Sequence, residues 1–182
     1  MNMEKKFELT DNFIINAFGV KLFQIKCTKS FKYAKEGDLG GYVEKDENLD
    51  QESNAWVSGN AEVSGDAWVS GNAEVSGDAR VYGNARVYGN AEVSGNAWVS
   101  GNAEIDNNNK HCGFDCFGSA NRHTHAYLTK ENKVEITCGC FRGSIEEFEK
   151  RVEETHSGTI YEKQYKAIID VIKIKFGLTD LI

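Results

Sequence analysis

Residues 111–140 contain side chains that could bind zinc. They are four cysteines, in the pairs C-x3-C and C-x-C, and three nearby histidines: Cys112, Cys116, Cys138, Cys140, His111, His123 and His125. Thiolate and imidazole are the ligands that structural zinc sites use. The spacings differ, however, from the C-x2-C pairs of common zinc fingers and ribbons. We therefore favour buried thiols in a small core, with a zinc site as the alternative.

A second set of residues combines positive charge with aromatic rings. Arg80, Tyr82, Arg86 and Tyr88 lie within the stretch GDARVYGNARVYGNAEVSG, and Trp98 follows it. The favoured interpretation is structural, with each arginine between a tryptophan and a glutamate on the surface. The functional hypothesis is a groove between subunits that binds a small phosphorylated ligand, such as a nucleotide signal. Arginine would then bind the phosphate, and an aromatic ring would stack on the base.

The elements that position this second set are nine consecutive hexads without insertion in residues 54–107. Each hexad reads Val-(Ser/Tyr)-Gly-(Asn/Asp)-Ala-(Glu/Trp/Arg), with isoleucine in place of the last valine. Valine and alanine point to the same side of an extended segment, and the Gly-Asn or Gly-Asp pair supplies a corner. A short fixed period predicts a stacked solenoid. Three hexads per turn give a three-coil parallel β-helix.

The same period predicts which outward side chains stack on one another, about 4.8 Å apart. We name them the first row (Trp56, Glu74, Glu92), the second row (Glu62, Arg80, Trp98) and the third row (Trp68, Arg86, Glu104). Exposed aromatic residues are enriched at protein interfaces. The three tryptophans, Trp56, Trp68 and Trp98, are therefore also candidates for an oligomer interface.

The segments on either side of the repeat are expected to close its ends. Residues 1–53, with a hairpin pattern in 13–31, predict an N-terminal β cap. Residues 108–182 predict a small α+β domain with two strands and two amphipathic helices, of which Ser144 caps the first. Arg142 precedes that helix, where free N–H groups favour an anion, but a plain capped helix is the favoured interpretation. The predicted fold class is mainly β.

Composition and charge exclude several function classes. The 182 residues carry a net charge of −7, and residues 54–107 contain seven acidic and two basic side chains. This balance argues against general nucleic-acid binding. No apolar run approaches the length of a membrane span. Five cysteines behind a start unlike a signal peptide predict reduced thiols and a cytoplasmic protein, for which we expect no cofactor.

The repeat VSGNAE resembles the hexapeptide repeat of left-handed β-helices, the family of many acyltransferases and of γ-type carbonic anhydrases. This resemblance implies a left-handed solenoid and a homotrimer. Those enzymes use histidines on the coils or near a loop that interrupts them. Here all four histidines lie outside the hexads, and no loop interrupts the array: His111, His123, His125 and His156. We therefore expect no catalysis on the solenoid.

A narrower resemblance covers nearly the whole chain. The segments GDLGGYVEKDENL, NAWVSGNA and GCFRGSIEEFEKRVEETH follow one another in this order. Together they resemble a group of uncharacterised hexapeptide-repeat proteins encoded by phages and prophages, which implies a phage gene product in the bacterial cytoplasm. We expect a non-enzymatic binding protein that sequesters a nucleotide-type signal or blocks a host defence protein. The alternatives are an acyltransferase-like enzyme and a structural or assembly component of the phage.

Overall fold

A computed structural model describes residues 5–178. The chain divides into two compact units, the first ending at Asn108 and the second beginning at Asn109. The strands of the first unit are β1 (Phe7–Ile15), β2 (Lys21–Cys27), β3 (Leu39–Val43), β4 (Trp56–Val57), β5 (Glu62–Val63), β6 (Trp68–Val69), β7 (Glu74–Val75), β8 (Arg80–Val81), β9 (Arg86–Val87), β10 (Glu92–Val93), β11 (Trp98–Val99) and β12 (Glu104–Ile105). The elements of the second unit are β13 (His111–Phe117), β14 (Arg122–Leu128), β15 (Val134–Cys138), β16 (Phe141–Gly143), α1 (Ile145–His156) and α2 (Ile160–Lys175).

The hexads form a β-solenoid of stacked parallel coils, as the period predicts. Each short strand from β4 to β9 pairs in parallel with the strand one turn later, so that each of their valines lies on a valine of the next coil or on Ile105. The valines of the repeat and Ile105 are fully buried, and the alanines are at most 3 % exposed. The predicted first, second and third rows are confirmed by the strand register. The left-handed sense stays a prediction.

Glycine and asparagine form the corners of the solenoid. The corner glycines, from Gly59 to Gly101, have φ between 63° and 71°, where a side chain is strained. At several corners the residue after the glycine bonds to the next coil, as when Asn60 N donates to Gly77 O at 2.9 Å. Asparagine side chains continue this pattern: Asn54 Nδ2 donates to Asn72 Oδ1 at 2.9 Å. The Gly-Asn pair therefore makes the turn and also bonds one coil to the next.

The stacked strands begin before the first hexad. Strand β3 pairs in parallel with β5, and Leu49 forms a parallel bridge with Val69. These contacts extend the three coils of the hexads to a solenoid of about four turns. The adjacent glycines Gly40 and Gly41 of the GDLGGYVE segment allow this close stacking. A Cβ on Gly41 would lie 2.6 Å from Ala61 O, and one on Gly40 would lie 2.6 Å from Val57 O.

The N-terminal hairpin extends one face of the solenoid. Strands β1 and β2 pair antiparallel, and β2 pairs antiparallel with β3, which gives the six-stranded sheet β1-β2-β3-β5-β8-β11. Phe7, Leu22, Ile25 and Cys27 are fully buried in this part of the unit. A polar contact also closes it. The Lys6 ammonium donates to the carbonyl oxygens of Asp50, Ser53 and Ala55, at 2.6, 2.9 and 2.7 Å.

The second unit consists of an antiparallel sheet and two helices that pack on one of its faces. The strand order is β13-β14-β15-β16. The core contains Ala126 and Ile136 from the sheet, with Phe148 from α1 and Ile169 from α2. The predicted cap of α1 is confirmed, because Ser144 Oγ accepts from Glu147 N and the Glu147 carboxylate accepts from Ser144 N. In the described part of the chain no helix is long and apolar enough to cross a membrane.

Candidate functional site

In the second row, the arginine is held by its neighbours as the structural interpretation predicts. Arg80 Nε lies 3.3 Å from Glu62 Oε1, and its guanidinium lies 5.1 Å from the ring centroid of Trp98. Tyr82, beside this row, packs its ring against Phe18 of the β1–β2 turn at 5.2 Å. The structure therefore brings Arg80, Tyr82 and Trp98 into contacts within the chain, and these contacts occupy the guanidinium.

In the third row, the arginine is not held by its neighbours as the structural interpretation predicts. Tyr88 Oη donates to Glu104 Oε1 at 2.9 Å, and this hydrogen bond raises the pKa of Tyr88. Arg86 is exposed and forms no ion pair or cation–π contact with any residue that the structure describes. Trp68, which pairs with Arg86 on the neighbouring strand, is 39 % exposed. An accessible guanidinium thus lies next to an accessible indole.

In the first row, Trp56 is not available to another subunit. Its ring is only 5 % exposed and packs edge-on against Phe31, with 5.5 Å between the ring centroids. Its proposed place in an exposed interface is therefore corrected, because a residue of the N-terminal segment covers it. Of the three tryptophans, Trp68 is the most exposed.

Arg142 is also occupied. It forms a two-point ion pair with Glu135, with Nε at 2.6 Å from Oε1 and Nη2 at 3.2 Å from Oε2. Tyr127 Oη donates to the same carboxylate at 2.6 Å. The adjacent helix terminus is closed by Ser144 and Glu147, so the capped-helix interpretation is correct. The assignment of Arg142 as an anion ligand is corrected, because a carboxylate of the chain already takes that place.

The candidate zinc ligands do not form a metal centre. Among residues 5–178, no group of three His, Cys, Asp or Glu side chains is arranged to hold a metal ion. Cys138 is buried and accepts a hydrogen bond from Thr124 Oγ1 at 3.3 Å. Cys112 is partly buried, whereas Cys116 and Cys140 are exposed. Of these four cysteines, only Cys138 is buried as predicted.

Thiol reactivity checks this arrangement. Burial raises the pKa of Cys112 to about 11, so that it stays protonated and unreactive at mildly alkaline pH. We expect two of the five thiols, Cys116 and Cys140, to react rapidly with a disulfide reagent in the folded protein. In urea all five are expected to react. A count of zero or of four rapid thiols in the folded protein would contradict this distribution.

Three of the four histidines lie close to one another on the β13–β14 pair. His111 Nδ1 lies 3.0 Å from His125 Nε2, and His123 Nδ1 lies 2.6 Å from Asp115 Oδ1. Gly113 makes room for the His123 ring, because a Cβ there would lie 2.6 Å from the ring carbon Cε1. The alternation of 111, 113 and 115 with 123 and 125 places these residues on one face of the β13–β14 pair. That alternation is the sequence signal that could have identified the group.

Comparison with protein families identifies the repeat. The family model of the YdcK Beta solenoid repeat matches residues 73–89, 79–93 and 85–101. The chain is a beta-solenoid repeat protein. No curated protein matches it. The matched repeats include Arg80, Tyr82, Arg86 and Tyr88. These residues therefore occupy regular positions of the repeat, where other hexads have glutamate, tryptophan or serine. They are not part of an insertion.

Proposed function

We propose that this β-solenoid protein is a non-enzymatic binding protein and that its third row is the binding surface. The observation that carries the proposal is the neighbouring pair of Trp68 and Arg86. Both side chains are exposed, they lie on adjacent paired strands, and the guanidinium has no carboxylate partner in the described chain. Solenoids present such side chains on a rigid backbone, which lowers the entropy lost on binding.

The favoured ligand is a small phosphorylated molecule of the nucleotide type. A guanidinium donates parallel hydrogen bonds to phosphate, and an indole ring provides a flat surface for a base. Tyr88 lies beside Arg86, and the hydrogen bond to Glu104 holds its hydroxyl in place. The surrounding residues 54–107 are acidic in sum, which favours one small anion at Arg86 over a polyanionic nucleic acid.

The biological setting of the proposal comes from the resemblance of the whole chain to phage-encoded hexapeptide-repeat proteins. We propose that the protein acts in the cytoplasm of a bacterial host and counters a defence system by sequestering a nucleotide signal. A surface with exposed tryptophan, arginine and tyrosine also has the composition of a protein-binding hot spot. The second candidate is therefore a protein partner on the same row, either a host defence protein or further copies in a homo-oligomer such as a trimer.

A matched pair of arginine variants tests the ligand proposal. Cyclic nucleotides and ADP-ribose derivatives would be screened by thermal shift, and the hits measured by titration calorimetry. Replacing Arg86 with alanine removes charge-assisted hydrogen bonds to phosphate, and we expect a loss of affinity of about tenfold or more. Trp68→Ala should cost a similar factor, because base stacking contributes about 1–3 kcal/mol. Arg80→Ala is the control, because Glu62 and Trp98 already occupy that guanidinium.

The same variants separate the two candidates. If the third row binds a nucleotide, Arg80→Ala keeps the affinity of the wild type and the mass measured by light scattering does not change in any variant. If the row binds other copies of the chain, Trp68→Ala lowers that mass. Absence of binding to every phosphorylated ligand, or an equal loss in the Arg80 and Arg86 variants, contradicts the ligand proposal.

A further inference from the structure

A small pocket in the second unit has features that the solenoid does not share. Its volume is about 140 Å³, and it lies where the β15–β16 turn meets α1 and α2. Two arginines, Arg122 and Arg151, line it together with His156. None of the described residues that line it is acidic. In a chain with seven net negative charges, two guanidinium groups around one cavity without a carboxylate need an explanation.

The two arginines are not neutralised by strong ion pairs. Arg122 is exposed, lies over the β15–β16 turn at Gly139, and has no carboxylate at ion-pair distance in the described part of the chain. Arg151 Nε lies 3.9 Å from Glu154 Oε2, and both side chains are more than half exposed. An exposed contact at that distance contributes little. Both guanidinium groups are therefore available to an anion.

Two of the rings that line the pocket stack on one another. The His156 ring stacks on the ring of Tyr165, with centroids 5.4 Å apart and planes inclined by 27°. Tyr165 is itself 5 % exposed and contacts Phe148 edge-on at 5.6 Å. Gly118 accommodates the tyrosine, because a Cβ there would overlap its hydroxyl group. His156 is the last residue of α1.

We infer that this pocket binds a phosphate group on a small ligand, with Arg122 and Arg151 on either side and His156 below it. The volume admits one tetrahedral phosphate but not a whole nucleotide, so the rest of the ligand would extend into solvent. Two guanidinium groups bind phosphate through parallel N–H···O hydrogen bonds, and the imidazole and the Thr155 hydroxyl add further polar contacts. The inference is independent of the third row.

The test uses the full chain and titrates it with inorganic phosphate, glycerol phosphate and sulfate at constant ionic strength. Arg122→Gln and Arg151→Gln are each expected to weaken phosphate binding by tenfold or more. Lys150→Gln is the matched control, since it removes one positive charge from the same helix at a residue that does not line the pocket. Arg86→Ala should leave phosphate binding unchanged, which separates this site from the third row.

The relative affinities for the three anions identify the chemical form of the ligand. Tighter binding of glycerol phosphate than of inorganic phosphate assigns the site to a phosphate ester, and the reverse order assigns it to the free ion. Binding should also slow the alkylation of Cys140, which lines the pocket, without slowing that of Cys116. Absence of phosphate binding, or an equal loss in all three charge variants while circular dichroism shows them folded, overturns the inference.

Discussion

Replacing Lys6 with methionine is expected to lower the free energy of unfolding by about 3 kcal/mol. The Lys6 side chain is 6 % exposed, and its three N–H bonds match three carbonyl oxygens, those of Asp50, Ser53 and Ala55. Methionine fills a similar volume but donates nothing, so that the three oxygens lose their donor where water has little access. Urea unfolding followed by circular dichroism measures the loss.

The carbonyls that Lys6 bonds belong to the irregular part of the first coil. Leu49 and Val57 are eight positions apart, whereas the inward-facing valines of the hexads follow one another every six positions, and the extra length lies in the loop 50–55. Gln51 strengthens the same link, because its Oε1 accepts from Lys6 N at 2.8 Å and its Nε2 donates to Phe7 O at 3.2 Å. We therefore expect Lys6→Met to loosen strand β1 together with this loop.

Lys5→Met is the control for this prediction. Lys5 is adjacent in sequence but exposed, and it pairs with Asp46 on the surface, so its replacement should change stability little. A loss in Lys6→Met no larger than in Lys5→Met would show that the three carbonyl contacts do not stabilise the fold.

The pH dependence of stability gives a second measure of Lys6. Burial lowers its pKa from 10.5 to about 8. Between these values the folded chain has released a proton that the unfolded chain still holds, so this group makes stability rise with pH. Relative to Lys6→Met, the wild-type protein should therefore gain stability as the pH rises from about 8 to 10.5. A constant difference across this range would contradict the lowered pKa.

The solenoid could be predicted from the sequence because every hexad repeats the same pattern of apolar, turn and outward-facing residues. Valine and alanine alternate with a corner that only glycine adopts without strain, and no insertion breaks the register. The strand pairs of Arg80 and Arg86 follow from the period alone. The sequence predicts the first coil less clearly. Strand β3 carries two glycines in place of the hexad pattern, and the loop 50–55 after Leu49 is longer than the corners of the hexads.

The individual contacts could not be predicted in the same way, because they depend on residues outside the repeat or on a choice between partners. Trp56 is buried by Phe31, which the period does not place near it. Glu104 had two candidate donors, Arg86 and Tyr88, and strand register does not decide between them. The phosphate pocket was missed because Arg122, Arg151 and His156 are distant in sequence and belong to no motif.

Replacing Gly89 with alanine is expected to destabilise the solenoid much more than replacing Gly95, although the two positions have the same backbone conformation. Their φ values are 64° and 65°, so each alanine costs about 1–2 kcal/mol of backbone strain. A Cβ on Gly89 would also lie 2.3 Å from Asp106 O, which accepts from Asn90 N, whereas a Cβ on Gly95 meets nothing within 4 Å. The clash should add about 1–3 kcal/mol at Gly89 alone. Urea unfolding of both variants measures the difference. Equal losses of stability would show that only the turn conformation of the corners matters, and that the close approach of one coil to the next does not contribute.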